Sequence, residues 1–333
     1  MSRLAATIIL FIISVSVCHA QTDLLERSDV NDFLQQMVDK HGFPRDELNS
    51  VFARIELSQS VLQAISKPAE KLPWYKYRRI FLQSDRIRKG VNFWHENKPI
   101  LDLAEETYGV PVEIIVAIIG VETRYGSNSG KYKVINSLAT LAFEYPQRSG
   151  FFIKELEQFL LLTREQGLDP LEITGSYAGA MGIPQFISSS YRHYAVDFDN
   201  NGIIDIWNGT ADSIGSIANY FKKHGWLNGQ DIAVPAMVKG SGYKQLINDD
   251  LKPNLSAVNL DEYGISPDSS LPSGINIKLL NLETANGQEF WLGLENFYVI
   301  TRYNHSVLYA MAVYQLAMEI RSRYQEHILS EDF

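Results

Sequence analysis

From Ser28 onward, apolar residues recur at i, i+3, i+4, i+7 and i+8 (Val30, Phe33, Leu34, Met37, Val38), and Gly42 closes the run. That spacing predicts an amphipathic helix. The same period predicts helices over 45–55, 58–66 and 75–89, and a long one over 91–108. Pro111 opens another at its first position, where the missing N–H costs nothing. Helical pattern continues over 150–166, 185–194 and 211–223. Between Asp231 and Tyr303 the texture changes. Short β-like runs at 232–238, 275–281, 290–292 and 298–301 stand among Gly, Pro, Asn and Ser clusters, before a last helix over 306–324. The chain reads as mainly α, with a small β-rich insertion before its C-terminal helix.

The first twenty residues break this pattern. A basic start at Arg3, an apolar run from Leu4 to Val17 and a small residue at Ala20 have the layout of an export signal, too short for a comfortable membrane span. Cleavage after Ala20 gives an exported, periplasmic protein. Two other readings stay open: an uncleaved N-terminal anchor, and a lipid on Cys18 that would tether the chain to the outer membrane. Cys18 is the only cysteine, which removes disulfide frameworks and thiolate metal sites. With 30 Lys+Arg against 39 Asp+Glu the formal charge is −9, so nucleic acid is not an expected partner.

The segment from Val112 to Val121 is apolar on nearly every side, as expected of a helix surrounded by protein. Glu122 follows in its last turn, on the stripe of Ile115 and Ile119. Desolvation and the carbonyl end of the helix both disfavour its charge. A raised pKa and a general-acid role follow. The alternative is an ordinary carboxylate paired with Arg124 at a solvated helix end.

Glu122-Thr123-Arg124-Tyr125-Gly126 after such a helix, followed by the run from Gly175 to Phe186 (GSYAGAMGIPQF), resembles the lytic transglycosylases of the cell wall. The match is to the membrane-bound lytic murein transglycosylase B family. It extends through Asn136–Ala142, Tyr145–Arg148, Ala218–Phe221 and Ile300–Asn304, in order along the chain. The resemblance implies a lysozyme-like helical core over 101–230, after an N-terminal helical region (21–100). The β-rich region would span 231–303, and the C-terminal helix (304–333) would pack on the helical part.

It also implies cleavage of the β-1,4 bond between N-acetylmuramic acid and N-acetylglucosamine, giving 1,6-anhydromuramyl ends in cell-wall turnover. Glu122 would perform both proton transfers, whereas ordinary glycosidases use two carboxylates. By the family pattern Ser176, Gln185, Tyr220 and Tyr303 would touch saccharide, with Phe186 beside them. Arg148 would meet lactyl or peptide carboxylates, and Tyr77 the outer groove. Ala178, Gly179, Ala180 and Gly182 would let a glycan approach the backbone closely. Ser188 stands where relatives often carry Pro. The implied partners are peptidoglycan glycan strands and other wall enzymes, the chain itself being a monomer. A lysozyme-type hydrolase and a catalytically silent wall-binding protein are the competing functions.

Asp197 to Asp205 (DFDNNGIID) places oxygen ligands at loop positions 1, 3, 5 and 9 with Gly at 6, an EF-hand pattern. Asn208 replaces the usual Glu at position 12; in the family a longer loop (197–212) takes its last acid later, at Asp212. The expected ligands of a structural Ca²⁺ are Asp197, Asp199, Asn201, Ile203 and Asp212, and Asp205 is expected to gather around the same ion. A metal-free acidic turn remains the alternative. No organic cofactor is expected. Gly126–Lys131 mimics a phosphate loop with wrong glycine spacing, and the seven histidines show no close pair.

Overall fold

The computed structural model describes residues 24–66, 72–272 and 274–331. The expected export signal and Cys18 lie outside the described residues. The chain divides into two compact units, one ending at Arg54 and one beginning at Ile55.

The first unit contains α1 (Ser28–His41) and α2 (Arg45–Phe52). Val30, Phe33, Leu34 and Met37 form the buried stripe of α1, as the periodicity predicts, and Phe33 meets Phe52 at 5.9 Å between ring centroids. Gly42 adopts φ 66° and returns its N–H to Met37 and Val38, closing the helix.

The second unit begins with α3 (Gln59–Ile65), α4 (Trp74–Phe81), α5 (Ser84–Glu96), α6 (Lys98–Tyr108) and α7 (Val112–Thr123). Two helices expected to be continuous are broken. The 75–89 run bends at Leu82 (φ −88°, ψ 53°), and Ser84 starts a new helix. The 91–108 run stops at Asn97, because Pro99 has no N–H to continue the ladder and instead sits in the first turn of α6. Pro111 directly precedes α7. The apolar α7 is packed among α5, α6, α11 (Thr210–Lys223) and α13 (Val307–Glu331), which explains why it has no polar face.

Next come α8 (Val134–Glu144) and α9 (Ser149–Gln166), packed on each other, and α10 (Ser188–Tyr194), which joins α9 to α11, with a two-residue antiparallel pair of β1 (Tyr132–Lys133) and β2 (Thr174–Gly175). The β-rich region is an antiparallel five-stranded sheet of order β4-β6-β7-β3-β5. Its strands are β3 (Ala233–Val238), β4 (Leu255–Ser256), β5 (Ile265–Pro267), β6 (Asn276–Thr284) and β7 (Gly287–Gly293). Ile277 and Leu279 on β6 join Val234, Ile265 and Leu292 in its core. The 298–301 run is not a strand. It lies in α12 (Glu295–Tyr303), whose buried residues Asn296, Phe297, Ile300 and Thr301 follow a helical period that a β-branched run conceals.

Candidate active site

Glu122 occupies the last turn of α7, half-buried and flanked by apolar helix. Its Oε1 accepts a 2.5 Å hydrogen bond from the hydroxyl of Tyr309, a buried residue at the start of α13. Burial pushes the Glu122 carboxyl up to about 7, against the opposing effect of that hydrogen bond. No ion pair reaches it among the described residues; Arg124 points its charge elsewhere, so the solvated-pair alternative does not describe this carboxyl.

The chain leaves α7 through three successive left-handed residues, Arg124, Tyr125 and Gly126 (φ 51°, 59° and 79°). The buried Thr123 holds this exit, its Oγ1 accepting the Gly126 N–H at 3.0 Å. Tyr125 passes its phenol between α5 and α7 and donates to the Arg86 carbonyl at 2.9 Å. A Cβ on either Gly90 or Gly120 would lie 2.5 Å from that phenol oxygen, so both helices need glycine here.

The Gly175–Phe186 segment forms a tight double turn, with bridges from Met181 to Gly175 and to Phe186. Ser176 Oγ accepts the N–H groups of Ala178 (3.3 Å) and Ala180 (3.0 Å), so it shapes the turn. The glycines expected to admit a glycan serve close protein packing instead: a Cβ on Gly182 would meet the Ile206 carbonyl at 2.4 Å. Gln185, at φ 54°, donates from Nε2 to the Ser129 and Gly182 carbonyls at 3.0 and 2.9 Å.

A groove of about 450 Å³ gathers Arg148, Gln185, Phe186, Tyr220 and Tyr303 from four separate stretches of sequence. The rings of Phe186, Tyr220 and Tyr303 meet one another at 4.8–5.9 Å between centroids, mutually tilted. Tyr303 donates to the Pro184 carbonyl at 2.6 Å and Tyr220 to the Arg302 carbonyl at 2.5 Å. Arg148 lies over Phe151 at 4.5 Å. The groove also contains Tyr194, His224, Arg302 and His305, which the sequence reading missed. Arg302 and His305 flank Tyr303 in sequence, which was the available signal. Burial, with Arg302 and His305 nearby, holds the His224 imidazole below its usual range. Ser176 and Tyr77 are not among the lining residues. Tyr77 is 2% exposed between Trp74 and Phe81, so it lies beneath the surface rather than in an outer groove.

Glu122 is not itself a lining residue of this groove; Tyr303 lines it and has the Glu122 carboxyl as an electrostatic neighbour. A carboxyl whose pKa is raised to about 7 thus adjoins aromatic rings and polar edges, a chemistry suited to saccharides. Residues 26–318 match the family model described as the transglycosylase SLT domain. The chain is 42% identical over 308 residues to membrane-bound lytic murein transglycosylase B of Escherichia coli (strain K12), covering 90% of this chain and 84% of that one. The chain belongs to this family of lytic transglycosylases.

Two solved relatives bear on the site. The Escherichia coli lytic transglycosylase Slt35 in complex with calcium superposes with a TM-score of 0.83 at 42% identity, covering 91% of this chain and 95% of that one. SltB3 from Pseudomonas aeruginosa, in complex with NAG-anhNAM-pentapeptide, superposes with a TM-score of 0.75 at 32% identity, covering 88% and 79%. These relatives bind calcium and a peptidoglycan fragment, respectively.

In this transglycosylase Asp197, Asp199 and Asp212 each bring a carboxylate oxygen within 4.8 Å of the others. Asp212 is 1% exposed, and its two oxygens accept the Phe198 and Asp205 N–H groups at 2.8 and 2.7 Å. Asn201 and Ile203 lie in the same loop, joined by a 2.9 Å bond from Ile203 N–H to Asn201 Oδ1. No Lys or Arg pairs with the three acids among the described residues. Three clustered carboxylates without a protein counter-charge fit a hard divalent cation. Asp205 falls outside the cluster, since its Oδ1 accepts from Trp207 and Asn208. Among the described residues, no helix is long and apolar enough to cross a membrane.

Proposed function

We propose that this transglycosylase cleaves the β-1,4 bond between N-acetylmuramic acid and N-acetylglucosamine, with Glu122 as its only general acid and base. The observation that carries the reading is the Glu122 carboxyl at the end of an apolar helix, held by the Tyr309 hydroxyl at 2.5 Å, with burial raising its pKa to about 7 and no other carboxylate acting on it among the described residues. Near neutral pH a large fraction of Glu122 is protonated and can donate to the glycosidic oxygen as the C1–O bond breaks. The resulting carboxylate then takes the proton of the muramyl C6 hydroxyl as O6 bonds to C1. Water enters neither step, and the acid is restored. Two-carboxylate hydrolysis needs a base or nucleophile about 5–9.5 Å away, whereas among the described residues no other carboxylate contributes to the raised Glu122 pKa.

Tyr309 supports both halves of this cycle. Its O–H keeps one carboxyl oxygen fixed and leaves the other for the proton, and it stabilises the anion formed after donation. Tyr303 offers the partly exposed ring to sugar C–H groups, backed by the buried rings of Phe186 and Tyr220, Gln185 an amide, and Arg148 a cation for lactyl or peptide carboxylates. Ser176 is assigned to positioning the turn beside the substrate. The anhydromuramyl peptide bound by SltB3 supports this product class.

Asp197, Asp199 and Asp212 would hold Ca²⁺ with the Asn201 side chain and the Ile203 carbonyl, bracing the loop against α11 without entering the chemistry. Export by residues 1–20 and the segmentation at 100, 230 and 303 are part of the same proposal. Replacing Glu122 by Gln tests it: lysis of purified sacculi should fall by at least about 10²-fold with the fold intact. Retained lysis would remove Glu122 from the reaction.

A further inference from the structure

The arm that leaves the acidic loop, Ile204 to Ile206, is fastened to two elements that form the groove. The Ile204 carbonyl accepts the Tyr191 hydroxyl at 2.9 Å. Tyr191 is buried on α10, and its neighbours Ser189, Ser190, His193 and Tyr194 line the groove. The Ile206 carbonyl accepts the Ile183 N–H at 2.8 Å, inside the turn that carries Gln185 and Phe186. Gly182 permits this approach, since a Cβ there would also lie 2.8 Å from Ile206 Cγ1. Ile206 is fully buried, so water would not replace a partner lost from its carbonyl.

On its other side the same arm is held by the proposed cation ligands. Between Ile204 and Ile206, the Asp205 N–H donates to Asp212 Oδ2 at 2.7 Å. Ser213, the next residue of α11, shares its hydroxyl proton between the Ile206 and Gly209 carbonyls at 3.2 and 2.9 Å. Asp212 stands in the first turn of α11, and the groove residue Tyr220 lies further along that helix. From Ile183 the connection continues towards the acid. Its carbonyl lies 3.3 Å from the Thr123 hydroxyl, and Thr123 directly follows Glu122.

Charge decides what the loop transmits. Three carboxylates whose oxygens lie within 4.8 Å of one another repel when ionised. A divalent cation turns that repulsion into attraction and draws the ligands together. Fixing Asp212 fixes the Asp205 N–H, and through the carbonyls on either side it fixes α10 and the Gln185 turn. A glycan that orders those two groove walls must favour the cation-holding form of the loop to the same extent, because linkage is reciprocal.

We infer that Ile204 and Ile206 are positioning residues whose carbonyls couple a divalent cation in the 197–212 loop to glycan binding in the groove, each ligand strengthening the other. The inference rests on the proposed function for the identity of the glycan and on the acid cluster for the cation. The bonds that join the two sites belong to the chain itself. Beyond bracing the fold, the loop thereby sets how well the groove holds a strand.

Glu122→Gln, which should hold strands without cutting them, is titrated calorimetrically with calcium, alone and with saturating stem-free glycan strands. Calcium should bind about tenfold more tightly with glycan present. Glycan should likewise bind about tenfold more tightly at ~10 mM calcium than in chelator. Tyr191→Phe combined with Ser213→Ala, in the same background, takes both hydroxyls from the arm. The coupling factor should then fall at least about threefold, while calcium affinity without glycan stays within about twofold. A loop that only stabilised the fold would show no such reciprocity. Equal calcium affinity with and without bound glycan would therefore overturn the inference, and an undiminished factor in the double variant would overturn the role of the arm. Absence of calcium binding would overturn the inference together with the cation reading. Lysis of sacculi retained by Glu122→Gln would refute the proposed acid whatever the calcium titration gives, so the two failures are distinct.

Discussion

The Tyr309 hydroxyl lies 2.5 Å from Glu122 Oε1, although the two residues are 187 positions apart in sequence. This contact sets the competition that tunes the acid. Burial raises the Glu122 pKa, the phenol lowers it, and the balance rests at about 7. Removing the phenol oxygen in Tyr309→Phe should therefore raise the pKa further, by about 1 unit for a hydrogen bond to a charged group worth ~1.5 kcal/mol. The alkaline limb of the pH–kcat/KM profile should move up accordingly, while kcat near neutrality falls about tenfold because the carboxylate formed after donation loses its donor. An unmoved limb would show that Tyr309 does not act on the acid.

The same pKa makes stability depend on pH. Glu122 titrates near 7 when folded against 4.5 in the reference state, so the folded protein binds its proton more tightly. The stability contributed by that proton is fully present below about pH 4.5 and is lost as pH rises through 7. Glu122→Gln cannot ionise. It should gain stability over wild type on going from pH 5 to pH 8, by about 3 kcal/mol at most. Denaturant titrations at the two pH values measure this; a constant difference would mean that the carboxyl is not strained by burial.

Calcium should stabilise the protein through the 197–212 loop. With an affinity of about 10⁻⁴ to 10⁻³ M, raising calcium to ~10 mM corresponds to roughly 1.4–2.7 kcal/mol and a rise of several degrees in melting temperature. A chelator should reverse the rise, and Asp212→Asn should abolish it while leaving the Glu122 region folded. A melting temperature insensitive to calcium would leave the loop as a metal-free acidic turn held by its own N–H bonds.

Gly120 and Tyr125 should behave as a coupled pair. A Cβ on Gly120 would fall 2.5 Å from the phenol oxygen and 2.7 Å from the ring carbon that bears it. Gly120→Ala is expected to cost about 1–3 kcal/mol and to lower activity by displacing the end of α7. Adding Tyr125→Phe should relieve only part of the loss, because the ring carbon still clashes. A double-mutant cycle of melting data reads the coupling.

These features were not equally legible in the sequence. The apolar stretch before Glu122 was visible because a helix packed on all sides has no polar face to hide it. The partner that tunes Glu122 was not, since Tyr309 reaches it only through the packing of α13 on α7. Tyr303 and Arg148 lay in family motifs and do enter the groove, whereas Tyr77 shared that resemblance but is buried. The break at Pro99 was written in the sequence as a missing donor. The helix over Val299–Ile300–Thr301 was concealed by β-branched residues whose burial against the helical body overrides their local preference. Asp205 satisfied the loop spacing, yet its carboxylate is spent on the turn that follows.

In the proposed reaction one carboxyl, without water, both breaks the glycosidic bond and closes the anhydro ring. Mass spectrometry of products from sacculi digested by wild type and by Glu122→Gln tests it most directly. Wild type should give 1,6-anhydromuramyl ends, and the variant almost no product. Reducing muramyl ends from wild type, or anhydro ends from the variant at undiminished yield, would contradict it.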